Sequence, residues 1–198
     1  RGGAVGRSSR VLVHEVRRAT DRTDSRPKRD RVPMSPAAPP SIRLLVCGNP
    51  DRGDDGAAIA AVATVLPALP REVLARIEVR RCSRLEVNDL VDIPGTVHAV
   101  IVDAALGAAP GQVVVVPLGD LASRSDTPIP HSCHAVPPDL PIRLASEIRP
   151  DPPNGTFVGI GGRSFGYGAA LSRPVRDGLA TFRQALAAEL TRLASVPV

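Results

Sequence analysis

Ile42-Arg43-Leu44-Leu45-Val46-Cys47 runs directly into Gly48-Asn49-Pro50-Asp51-Arg52-Gly53-Asp54-Asp55-Gly56, and the reading of this stretch decides the fold. A short run of β-branched residues and leucines reads as a strand covered on both faces, because a half-exposed strand would alternate apolar with polar side chains. Glycine, asparagine and proline then force a turn. An alanine-rich segment follows, with Ile59, Val62, Val65, Leu66 and Leu69 at helical spacing. Carboxylates placed where a parallel strand hands over to a helix stand at the carboxyl edge of the sheet, where open α/β folds bind their ligands.

Working outward, Ala57 to Leu69 is expected as the first helix, with Asp54 or Asp55 supplying an N-cap carboxylate and Asp54 the one assigned to it. Arg76 to Arg80 alternates as an edge strand does, and Leu85 to Val91 suits a short helix. Val97 to Asp103 is a second apolar run, a central strand that ends in an aspartate. The short turn Leu106 to Gly111 leads to the valines of 113–116, a strand for which antiparallel pairing is expected. Leu118 to Pro130 reads as an exposed loop, Leu140 to Ile148 as a helix, and Phe157 to Ile160 as the last strand. A flexible loop over Gly161 to Gly168 and a closing amphipathic helix over Pro174 to Ala194 complete the order. The expected architecture is α/β: a three-layer sandwich, with a mostly parallel twisted sheet of about five strands and helices on both faces.

The chain of 198 residues suits one such domain, assigned to residues 41–198. Residues 1–40 mix arginine, aspartate, serine and proline without periodicity and read as a disordered basic, proline-rich extension. Met34, the single methionine, is read as the natural start, with the residues before it a dispensable extension. The formal charge of +5 has its source in this segment, where ten basic residues face four acidic ones; residues 41–198 carry a net −1. No aromatic residue interleaves with the arginines of the extension, which argues against nucleic-acid binding. Three scattered cysteines without a C-x-x-C pair fit a reducing compartment. No apolar stretch approaches the roughly 20 residues that span a bilayer, and no signal-peptide core precedes the first strand. The expectation is a soluble, cytoplasmic monomer without a membrane partner.

If the first strand is central, Asp55 and Asp103 emerge on neighbouring strand ends beside the switch point of the sheet. Two carboxylates facing one crevice raise each other's pKa or hold a cation. His134, in the segment His131-Ser132-Cys133-His134, offers an imidazole from the stretch that must cross the same edge. Two carboxylates and one imidazole suit a borderline divalent metal such as zinc or nickel. Each residue also has a plainer use: a cap for the first acids, a loop hydrogen bond for Asp103, an ordinary loop histidine for His131 or His134. A Cys133/His134 nucleophile pair lacks an orienting third group, and Gly48-Asn49-Pro50 lacks the spacing of a phosphate-binding loop.

Gly48-Asn49-Pro50, Gly53-Asp54-Asp55-Gly56, Val100-Ile101-Val102-Asp103-Ala104 with Pro110-Gly111, Ser132-Cys133-His134-Ala135 and Phe157-Val158-Gly159-Ile160 together resemble the hydrogenase maturation proteases. These endopeptidases trim the C-terminus of nickel-iron hydrogenase large subunits. The resemblance spans about residues 42–195 and implies the same sandwich fold. It also implies that Asp55, Asp103 and His134 are the metal-contacting and catalytic residues, and that the substrate is a large-subunit precursor already loaded with nickel. The nickel would be supplied by that precursor, with no organic cofactor. The chain departs from the pattern at Asp51, Ala58, Gly161-Gly162 and Cys82-Ser83-Arg84-Leu85. Two other classes stay open beside it: a metal-sensing chaperone that docks a precursor without cutting it, and a phosphoacceptor receiver-like domain. The receiver pattern wants a lysine after the last strand, where Gly161-Gly162-Arg163 stands instead.

Overall fold

The structure, a computed structural model, describes residues 39–105, 107–123, 139–151 and 154–196. Ile42–Cys47 forms strand β1, and all six of its residues are buried, as a strand covered on both faces requires. Helix α1 (Ala57–Ala68) follows after a 3-10 turn over Gly53–Gly56, and a four-residue helix α2 (Arg71–Leu74) leads into β2 (Ile77–Cys82). Helix α3 (Val87–Val91), strand β3 (His98–Ala105) and strand β4 (Val113–Pro117) come next. Helices α4 (Leu118–Ala122) and α5 (Asp139–Ile148), strand β5 (Gly155–Gly161) and helix α6 (Arg173–Ala194) complete the chain.

The five strands lie in the order β2-β1-β3-β5-β4. Four are parallel; β4 runs antiparallel to β5 at the edge. The expected antiparallel strand therefore exists, but it pairs with β5, which inserts between it and β3. The chain leaves β1 for β2 on one side and returns to β3 on the other, so the switch point falls between the carboxyl ends of β1 and β3.

Alternation along the strands builds two cores. Ile42, Leu44, Val46, Val100, Val102, Val158 and Ile160 face α1 and α6, whose Val62, Val65, Val175, Phe182, Leu186 and Leu190 cover them. Leu45, Cys47, Ala99, Ile101 and Phe157 face the other layer, against Leu85, Leu90, Ile93, Leu118, Leu121, Ile142 and Ala145. Each fully buried leucine, isoleucine or phenylalanine contributes about 1.5–3 kcal/mol relative to exposure. Among the described residues, no helix is long and apolar enough to cross a membrane.

Three local expectations are corrected. Leu118–Ala122 is a helix rather than exposed loop, because Leu118 and Leu121 both sink into the second core. β3 does not stop at Asp103 but continues to Ala105, since β5 pairs with it two residues farther. Asp103 nonetheless marks an end: pairing with β1 stops at Val46 opposite Val102, and the next residue of β3 is Asp103. Third, neither Asp54 nor Asp55 caps α1, whose N-cap is Gly56 without a side-chain hydrogen bond.

Candidate active site

Gly48 permits the turn after β1. Its φ is +112°, and a Cβ there would stand 2.0 Å from the main-chain oxygen of Asp55, so only glycine lets the turn fold back against the acidic pair. The peptide N–H of Asn49 then donates to Oδ2 of Asp55 at 3.0 Å, and the Asn49 side chain accepts the N–H of Asp51 at 2.9 Å. The turn thus aims the half-buried Asp55 carboxylate back over the end of β1.

Asp103 reaches the same crevice from β3. It lies on the strand face that also carries Ala99, Ile101 and Ala105, and its Oδ1 accepts the N–H of Ala104 at 2.7 Å. Burial pushes the Asp103 carboxyl up to about 7, against that hydrogen bond, and the Asp55 charge adds to the rise. Burial also raises Asp55, opposed by the Asn49 N–H and the positive charge of Arg52. The structure therefore brings the two expected carboxylates into electrostatic contact at the switch point, one of them poised to hold a proton near neutrality.

Asp54 does something the sequence did not announce. It is fully buried, and its carboxylate accepts three main-chain N–H groups: Arg163 and Ser164 on Oδ2, both at 2.8 Å, and Ser172 on Oδ1 at 2.6 Å. Its own N–H donates to the carbonyl of Ser164 at 2.8 Å, closing a two-way clasp. Burial alone would raise its pKa, but the bonds from Ser172, Arg163 and Ser164 outweigh it and hold the carboxyl below its ordinary range. The segment after β5, expected as a flexible loop, is thereby fastened to the turn after β1. Further links reinforce it: Gly168 N–H donates to the Asp51 carbonyl at 2.8 Å, and Arg52 Nε donates to the Phe165 carbonyl at 3.4 Å. The Arg52 guanidinium also sits 5.3 Å from the ring centre of Tyr167. Tyr167, the single tyrosine, is 77% exposed.

Gly161 accounts for one departure from the family pattern. A Cβ there would lie 2.0 Å from the carbonyl oxygen of Ala109, and both main-chain groups of Gly161 bond the 109–112 turn, its N–H to Gln112 and its carbonyl to Gly111, each at 2.8 Å. No side chain fits between them.

His134, with His131 and Cys133, lies outside the described residues. The helices that flank that segment, α4 and α5, pack on the sheet face that carries Asp103. Among the described residues, no group of three histidine, cysteine or acidic side chains is arranged to hold a metal ion.

The fold has solved counterparts. The hydrogenase maturating endopeptidase HybD from E. coli matches with a TM-score of 0.59 at 20% identity, over 76% of this chain and 92% of that one. A hydrogenase 3 maturation protease matches with a TM-score of 0.51 at 25% identity, over 73% of this chain and 88% of that one. In fold the chain resembles the hydrogenase maturation proteases. The endopeptidase HycI from Escherichia coli, known in solution, gives a TM-score of 0.52 at 26% identity, over 75% of this chain and 90% of that one. No family model matches the sequence, and no curated protein matches it on sequence alone. The likeness to the hydrogenase maturation proteases thus rests on fold, with the overall sequence far diverged.

Proposed function

We propose that the protein is an endopeptidase of the hydrogenase maturation class, cutting a C-terminal extension from a nickel-loaded hydrogenase large-subunit precursor. The observation that carries this reading is the pairing of Asp55 with a proton-retaining Asp103 at the switch point. Peptide hydrolysis needs a base for the attacking water and an acid for the carbonyl or the leaving amine. Ionised Asp55 fills the first role by taking a proton from water. Neutral Asp103 fills the second by donating to the scissile carbonyl oxygen, in the manner of carboxylates that divide one proton.

His134 completes the set by its place in the Ser132-Cys133-His134 motif. Two carboxylate oxygens and an imidazole nitrogen suit nickel carried by the substrate, so Asp55, Asp103 and His134 would grip the precursor through its own metal. That contact would reserve cleavage for a loaded precursor and bring the scissile bond to the acidic pair.

Incubation with nickel-loaded precursor, followed by mass analysis, tests the reading. Release of a C-terminal peptide is expected; a stable complex without release would identify a docking chaperone instead. His134→Ala is expected to abolish processing, and full activity in that variant would remove the metal contact from the mechanism.

A further inference from the structure

The carboxyl edge of the sheet holds a pair of thiols that the peptidase chemistry leaves unused. Cys47 ends β1 and Cys82 ends β2, and the two are register partners on adjacent parallel strands. Partners in such a pair project from the same face, with strands about 4.8 Å apart. That spacing lies within the roughly 4.4–6.8 Å between Cα atoms that a disulfide spans. The sulfurs are 2.9 Å apart, less than about 1 Å beyond the covalent S–S length. Both are free thiols. Cys47 is fully buried, whereas Cys82, at the end of the edge strand, keeps part of its surface. An oxidant therefore meets Cys82 first, with a resolving thiol already beside it.

We propose that Cys47 and Cys82 form a redox modification site that a peroxide closes to an intramolecular disulfide. In the first step the Cys82 sulfur attacks hydrogen peroxide; the O–O bond breaks, Cys82 becomes a sulfenic acid and one water leaves. In the second the Cys47 sulfur attacks Cys82; the S–O bond breaks, the S–S bond forms and a second water leaves. Two thiols give up two electrons to one peroxide. The product ties the edge strand to β1 one residue before the Gly48 turn, beside the position of Asp103 on β3.

Peptide mapping of the full-length reduced protein decides the matter without any cleavage assay. The protein is treated with equimolar hydrogen peroxide, free thiols are alkylated, and the sample is digested with trypsin under non-reducing conditions. The expected product is a single cross-link between the peptides 44–52 and 82–84, reversed by dithiothreitol, with Cys133 alkylated. In Cys47→Ser, Cys82 is expected to stop at the sulfenic acid, trapped by dimedone. A cross-link that runs through Cys133, or full alkylation of Cys47 in the treated parent protein, overturns the proposal.

Discussion

Replacing Asp54 by asparagine should unfasten the loop after β5 while hardly changing side-chain volume. The native carboxylate accepts N–H groups from Arg163, Ser164 and Ser172 at 2.6–2.8 Å from a fully buried position. Hydrogen bonds to a charged group contribute about 1.5–3 kcal/mol each. Asparagine can keep its oxygen toward one donor but must turn an NH₂ toward others. The expected loss is about 3–4 kcal/mol, below a simple sum because bonds in one network are not additive. For a chain of this size that lowers Tm by about 10 °C. Asp54→Ala should lose a similar amount, so that the isosteric residue rescues nothing. The pH dependence follows from the depressed carboxyl. The native group stays ionised below the ordinary value of 3.8, so the parent's advantage is complete above that value and shrinks as pH falls through the lower native one. Urea unfolding followed by far-ultraviolet circular dichroism at neutral and acid pH measures both effects. An Asp54→Asn protein within about 0.5 kcal/mol of the parent, the range of ordinary surface substitutions, would refute the clasp.

Three further outcomes follow from the geometry. Asp103 has a raised carboxyl, so its contribution to stability is complete below 3.8 and lost as pH rises toward about 7; Asp103→Asn should gain on the parent by a few kcal/mol between pH 4 and 8 in urea unfolding while losing precursor cleavage. Gly48→Ala would drive a methyl against the Asp55 main chain at positive φ, and should cut cleavage about 100-fold through misplacement of the acid, measured as single-turnover rate. Arg149 donates from a largely buried guanidinium to the carbonyls of Leu90, Val91 and Ile93 at the end of α3, and Arg149→Ala should cost about 2–3 kcal/mol in thermal or urea unfolding without touching the acidic pair.

The central strands and the two acids were legible in the sequence because their signals are local. An apolar run covered on both faces admits little but a central strand, and the glycine-rich turn places Asp55 at a known edge. Helix α4 escaped notice because five residues cannot display a period, and its two leucines acquire meaning only against Leu90 and Ile142 of the same core. The use of Asp54 was hidden for a stronger reason. Its partners are main-chain N–H groups 109 to 118 positions away, which no side-chain pattern reports. The Cys47–Cys82 pair was obscured likewise: 35 residues part them in the chain, and register alone makes them neighbours.

Because Asp54 grips the peptide groups of Arg163, Ser164 and Ser172, the identities of most residues from 163 to 171 are free to drift without loosening their anchorage. A lineage could thus rewrite the lip of its cleft, one amino acid at a time, and adapt to a new client while the buried acid beneath kept the rewritten segment in register.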